Sequence, residues 1–274
     1  MFPGTDGFTW TFGHVLFVAL FLAVALTILA TVGSAVWRTL GDFRTHRAID
    51  LCWRSDFAEM PEGHRRCRHE LASRVSSRAC DNAFDCRHCS QYATFAALPP
   101  KAATDSIGIN YREDCFYDRG HTWVKPEPDG TLTIGLDEFA EHLIADPDSV
   151  EMPDIGDEME MHGTAWRIKK NGKQIRVRAP IEGTVTATGG PKEGWYLKLH
   201  PRLDPRDPAT LRHLLRGVEV RGWLSREMER LQLQLSPPNT APSLADGGAL
   251  VPGLMDAIPE ADWATVLDDT FLEA

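Results

Sequence analysis

Four cysteines, Cys67, Cys80, Cys86 and Cys89, are spaced C-x12-C-x5-C-x2-C in the stretch "CRHELASRVSSRACDNAFDCRHC". The closing C-x2-C is a bidentate metal hook, and four thiolates suit a tetrahedral zinc ion or, alternatively, an iron–sulfur centre. A reduced set holding no metal, or a redox-active pair at Cys86 and Cys89, would use the same residues differently. His64, His69 and His88 could replace a thiol and otherwise read as surface histidines. Cys52 and Cys115 have no obvious partner and read as small buried hydrophobes.

A second group of reactive residues lies in "WRIKKNGKQIRVRAPIEG", Trp166 to Gly183. Asn171-Gly172 is the strongest short hairpin signal, because a type I′ turn wants positive φ at both central residues. The turn pairs Lys170 with Lys173, Ile168 with Ile175 and Trp166 with Val177, all three apolar or near-tip pairs in one register. A one-residue slip would turn the apolar pairs out to water. The same register sets Arg167 opposite Arg176, with Lys169, Lys170, Lys173 and Arg178 nearby. Like charges across a ladder are unfavourable, so this face is either anion-seeking, for a partner protein or anionic lipid, or simply solvated.

These groups must be positioned by two kinds of element. From Ile107 onward, short alternating stretches such as "TLTIGL" and "IRVRA" are separated by Pro128-Asp129-Gly130, Asn171-Gly172 and Glu182-Gly183. That pattern predicts a small antiparallel sandwich or barrel. "DEFAEHLI" has helical apolar spacing with Asp137 as its N-cap, and a further helical stretch runs from near Asp207 to about Leu235 with a break at Gly217 or Gly222. Residues 236–274 begin as a Pro/Gly/Ser/Ala-rich linker and end in "PEADWATVLDDTFLEA". There Trp263, Val266, Leu267 and Phe271 share one helical face, which could fold into a partner's groove or fray as a tail.

The run from Val15 to Trp37 holds no charged residue and, at ~1.5 Å per residue, is long enough to cross a hydrocarbon core about 30 Å thick. Only Asp6 precedes it, whereas Arg38, Arg44 and Arg47 follow, so the positive-inside rule puts the N-terminus outside and the rest in the cytoplasm. Trp10 and Trp37 mark the two interfaces. Reduced cytoplasmic thiols favour a metal over disulfides. The expected organisation is an extracytoplasmic segment over 1–13, a transmembrane helix over 14–37, a Cys-rich metal-binding module over 38–100, a β domain with C-terminal helices over 106–235, and the tail over 236–274. With 29 basic and 39 acidic residues the formal charge is −10, which argues against a nucleic-acid binder. Phosphate loops, HExxH and G-x-S-x-G nucleophile motifs do not occur in the sequence, so no catalytic residue is assigned.

The segments "GHTWVKPEPDGTLTIGLDEFAEHL", "VEMPDIGDEM", "APIEGTV" and "GWYLKLHPRLDPRDPATLRHLL", in that order, resemble the glycine cleavage H protein, over roughly Ile107 to Leu231. The Cys-rich stretch resembles a module that accompanies H-like domains in bacterial multidomain proteins. The resemblance implies a mainly β fold, the flattened β-barrel sandwich of biotinyl/lipoyl domains with flanking helices. It also implies a carrier lysine at a hairpin tip, eight residues before the proline of a segment that here is "APIEG". Eight before Pro180 is Gly172, and Lys169 stands where the family carries Glu.

The expectation is therefore a non-catalytic accessory subunit, anchored in a bacterial cytoplasmic membrane, with zinc on its cysteines and no lipoate. Its partners would meet Arg167, Lys169, Arg176 and Arg178 on the hairpin, and Trp263, Leu267 and Phe271 on the tail. One alternative is a carrier with lipoate on Lys170 or Lys173; another is electron transfer through an iron–sulfur centre on Cys67, Cys80, Cys86 and Cys89.

Overall fold

The structure, a computed structural model, describes residues 11–100, 108–235, 250 and 252–272. Trp10 and the linker expected over 236–249 lie outside the described residues. The chain divides into two compact units, Met1–Ala48 and Ile49–Ala274.

Helix α1 (Phe12–Glu59) begins in the first unit. By length and composition it could cross a membrane, and Phe17, Phe21, Leu29 and Trp37 are all exposed on it. Thr27, Thr31 and Ser34 turn their hydroxyls back onto the carbonyls of Ala23, Ile28 and Thr31 at 2.8, 2.8 and 2.9 Å. The polar groups of this stretch are thus satisfied without water, as hydrocarbon would require.

The second unit opens with the last turns of α1, then two short helices, α2 (Arg68–Leu71) and α3 (Tyr92–Ala96). Strands β1 (Phe116–Tyr117), β2 (Thr122–Pro126) and β3 (Leu132–Leu136) follow, then α4 (Glu138–Ile144), which the Asp137 carboxylate caps by accepting from Ala140 N. Next come β4 (Ser149–Glu151), β5 (Glu158–Met159), β6 (Thr164–Lys170), β7 (Lys173–Arg178), β8 (Gly183–Gly190) and β9 (Trp195–Pro201). The chain closes with α5 (Val218–Leu235), α6 (Leu254–Ala257) and α7 (Trp263–Phe271).

Two antiparallel sheets form, one in the order β1-β2-β3-β9-β8-β5 and one in the order β4-β6-β7. Alternation along the strands drives Ile134, Ile168, Ile175, Leu197 and Leu199 into one core, where Trp166 stacks on Tyr196 with ring centroids 4.9 Å apart. Gly135 is required beneath Trp123, because a Cβ there would overlap the indole ring. Helix α5 starts at Val218 because Gly217, at φ +60°, breaks the chain; Gly222 instead lies inside the helix. A Cβ at Gly222 would overlap the Leu71 carbonyl, so no side chain fits there and α2 can press onto α5.

That contact joins the cysteine-bearing segment to the β domain. Arg68 and Arg74 both donate to Glu219 of α5, and Glu70 accepts from Arg66 at 3.1 Å and Arg226 at 3.2 Å. A second small core of Trp53, Phe57, Met60, Ala83, Phe84 and Leu272 draws together the end of α1, the cysteine segment and the C-terminus. The module expected over 38–100 is, from Ile49 onward, part of one compact unit with the β domain.

Candidate functional site

The hairpin forms in the register its alternation demands. Lys170 pairs with Lys173, Arg167 with Arg176, Ile168 with Ile175 and Trp166 with Val177. Asn171 and Gly172 have φ of +53° and +73°, as a type I′ turn requires. Gly172 occupies the tip, with open space around the place a Cβ would take.

Lys170, next to the turn, does not offer a free amine. Lys170 is only 5% exposed, and its Nζ donates to Asp256 Oδ2 at 2.8 Å and to the Asp146 carbonyl at 3.3 Å. Asn171 Nδ2 donates to the other oxygen of Asp256 at 2.9 Å, and its backbone N–H to Asp148 at 2.8 Å. These two donors hold the Asp256 carboxyl below its ordinary range. Lys173 is half-buried, and its charge acts on Asp262 and Asp268 of the C-terminal segment. Of the two lysines that the alternative of a lipoylated carrier would use, α6 covers Lys170, whereas Lys173 stays half-buried beside the turn.

The basic face is smaller than the sequence suggested. Arg167 and Lys169 are exposed on β6, while Arg176 is partly buried on β7. Glu151 on β4 stands opposite Arg167 and binds Lys169, a neutralising partner that comes from pairing remote in sequence. Arg178 is not part of this face. It is buried, donates to Asp56, the Leu272 carbonyl and the His162 carbonyl, and lies 5.2 Å over the Trp53 ring. The C-terminal helix is corrected likewise. Trp263, Leu267 and Phe271 are 3%, 5% and 1% exposed, so their apolar face packs on the chain's own core and leaves no knob for a partner's groove.

Cys67, Cys80, Cys86 and Cys89 line a single cavity of about 20 Å³. An antiparallel bridge between Arg66 and Ala79 sets Cys67 beside Cys80, and the C-x2-C turn ahead of α3 brings Cys86 and Cys89 round to them. All four are free thiols. Burial pushes the Cys86 thiol up, opposed by the guanidiniums of Arg119 and Arg68 and reinforced by Cys80 and Cys67. His88 lies outside the cavity, exposed and bonded to Asp85 at 2.6 Å, and His64 sits 3.8 Å from Asp269. His69, read from sequence as a surface residue, is buried in the cavity wall against Tyr92 and Phe95. Burial, with Arg68 and Arg74 nearby, lowers its imidazole to about 4, so it is neutral. Cys115 is fully buried as expected; Cys52 is exposed, contrary to expectation, because it lies on another side of α1 from Trp53 and Phe57, which enter the small core.

A buried triad has no counterpart in the sequence reading. His121 Nδ1 meets Asp137 at 2.8 Å and its Nε2 lies 3.6 Å from Glu227, while the ring stacks on Phe139 and leans on Trp223. Burial alone would lower this imidazole, but the two carboxylates overcome it and raise it to about 9. The group ties the turn before β2 to the cap of α4 and to α5, and Glu227 and Trp223 also line a cavity of about 350 Å³ with His64, Arg119 and Arg230.

A family model for the glycine cleavage H-protein matches residues 115–190, which include the hairpin. The glycine cleavage system H protein of Pseudoalteromonas translucida is 35% identical over 132 residues, 43% of this chain and 98% of the relative. That of Magnetococcus marinus is 30% identical over 125 residues, covering 41% of this chain and 86% of the relative. The crystal structure of an H protein from Mycobacterium marinum aligns with a TM-score of 0.34 and 18% identity, over 41% of this chain and 97% of that one. Whole H proteins are thus matched almost end to end within this longer chain, which belongs to the glycine cleavage H-protein family.

Proposed function

We propose that this H-protein-like domain has given up the carrier role and serves as a membrane-anchored accessory subunit, docking protein partners through the Arg167/Arg176 face of its hairpin. The observation that carries the reading is the tip itself. The position that the family resemblance assigns to the lipoyl lysine is Gly172, and the nearest alternative, Lys170, is held under Asp256. A carrier works by projecting its prosthetic group, and here the groups at the tip are turned inward and tied down.

The other parts of the proposal follow from chemistry. The charge-free run from Val15 to Trp37, followed by Arg38, Arg44 and Arg47, suits a single span with the second unit in the cytoplasm. Four free thiols around one cavity suit a bound metal centre, which would add folding energy to a segment with little core of its own. Arg167 and Lys169, exposed beside one another on β6, suit an acidic partner surface, with Glu151 setting the register of approach.

The test is the double reversal Arg167→Glu/Arg176→Glu, followed by co-purification from the native membrane. The docking reading expects partner proteins to be lost while the chain stays folded and in the membrane. Undiminished co-purification would remove the hairpin from the interface.

A further inference from the structure

The cysteine cavity has features that a single zinc ion does not explain. Tetrahedral zinc holds sulfur at ~2.3 Å, which puts neighbouring sulfurs about 3.8 Å apart and leaves no space between them. Among the described residues, no three of the four sulfurs lie within 4.8 Å of one another. Sulfurs held further apart than one tetrahedral ion would hold them suit a centre of several atoms, with one thiolate at each corner.

The cavity wall also carries donors that lack acceptors. His69 Nδ1 lies 3.4 Å from Arg74 Nη1, and a guanidinium can only donate, so Nδ1 is the acceptor and the ring proton is on Nε2. His69 Nε2 is buried with no protein partner, and so is Arg68 Nε. Leaving such donors unpaired in the interior is costly, so buried orphans ask for a missing acceptor. Arg119 completes the set. It is 6% exposed, rests on the Phe84 ring at 3.9 Å, and has no ion pair among the described residues, yet it lines this cavity. A buried cation without a counter-ion asks for a negative charge beside it.

We propose that Cys67, Cys80, Cys86 and Cys89 hold an iron–sulfur cluster, whose sulfurs accept from His69 and Arg68 and whose negative charge is balanced by Arg119. The inference rests on the reading of the quartet as a metal centre and specifies that centre. Four thiolates make such a cluster anionic in every oxidation state, and its potential is set by net charge, hydrogen bonds to sulfur and burial. Phe84, Tyr92 and Phe95 supply the apolar wall, and Arg119, from the loop before β2, makes the β domain part of the site. Arg119 and His69 are positioning residues; the four cysteines are the ligands.

The test begins with the full chain extracted anaerobically in mild detergent, assayed for iron, acid-labile sulfide and zinc, and titrated with dithionite as the one-electron reductant. Iron and sulfide in fixed proportion to the chain, with visible absorption that dithionite bleaches, are expected. The Cys52→Ser chain should keep both, because Cys52 is outside the cavity, and Cys86→Ser should lose both. Arg119→Gln removes a charge and His69→Leu a donor, both of which stabilise the more negative reduced state. Each should make reduction about tenfold less favourable, about 59 mV for one electron, with Arg119→Lys restoring most of the change. One zinc per chain without sulfide, or four free thiols without iron, would overturn the cluster. A potential unmoved in both Arg119→Gln and His69→Leu would overturn the roles given to Arg119 and His69. A lipoyl group in the same sample would overturn the non-carrier reading and leave the iron and sulfide counts as they are, so the two failures are separately visible.

Discussion

At the residue scale, charge placement decides what each group can do. Lys170 was legible in the sequence as a tip lysine, but its burial was not, because Asp256 is remote in the chain and reaches it only once α6 has folded over the hairpin. The Asp256→Ala chain is expected to loosen the tip: amide hydrogen exchange at Asn171 and Gly172 should accelerate several-fold, and Lys170 should become reactive to amine reagents. Unchanged exchange and labelling would mean that the ion pair does not hold the tip. His121 makes a second case, with its sign fixed by linkage. The unfolded imidazole loses its proton near 6.5, whereas the folded one keeps it to about 9. Its stabilisation is complete below about pH 6.5 and is lost as the pH rises through 9, by roughly 3 kcal/mol across that window. Urea unfolding at pH 6.5 and 9.5 should show this fall, and His121→Gln, less stable throughout, should lack most of it.

At the element scale, local periodicity gave away the hairpin, its register and α4 with its Asp137 cap, because each depends on residues within a few positions of one another; it left the break open between Gly217 and Gly222, and the helix expected from near Asp207 begins only at Val218. What it could not give was which surfaces those elements bury. The apolar face of α7 was plain in the spacing of Trp263, Val266, Leu267 and Phe271, but an amphipathic helix reads the same whether its groove belongs to a partner or to its own chain. Arg178 shows the same limit: strand alternation places it on the outer face of β7, and the end of α1 together with Leu272 then covers that face. The contact between α2 and α5 carries the next prediction. In the Gly222→Ala chain the new methyl meets the Leu71 carbonyl, so α2 must back away from α5. A loss of about 1–3 kcal/mol is expected, as for other overpacked contacts, with weakened metal retention because Cys67 directly precedes α2. A chain with unchanged thermal stability and full metal content would show that α2 moves freely there.

At the scale of the whole molecule, an H-protein-like domain is joined into one compact unit by elements that precede and follow it. The cysteine segment docks on α5 through Glu70 and Glu219, and α6 and α7 return to cover the hairpin and β7. Both additions cover surface that a mobile carrier would leave open. By length and composition, the apolar helix that begins in the first unit could cross a membrane. This arrangement suits a fixed component of a larger assembly better than a shuttle. Its central claim is that no acyl or aminomethyl carrier group is attached to the hairpin. The measurement that bears on it most directly is the intact denatured mass of the chain purified from its native membranes, with peptide mapping across Trp166 to Gly183. The account predicts unmodified Lys169, Lys170 and Lys173; a lipoyl increment on any of them would contradict it.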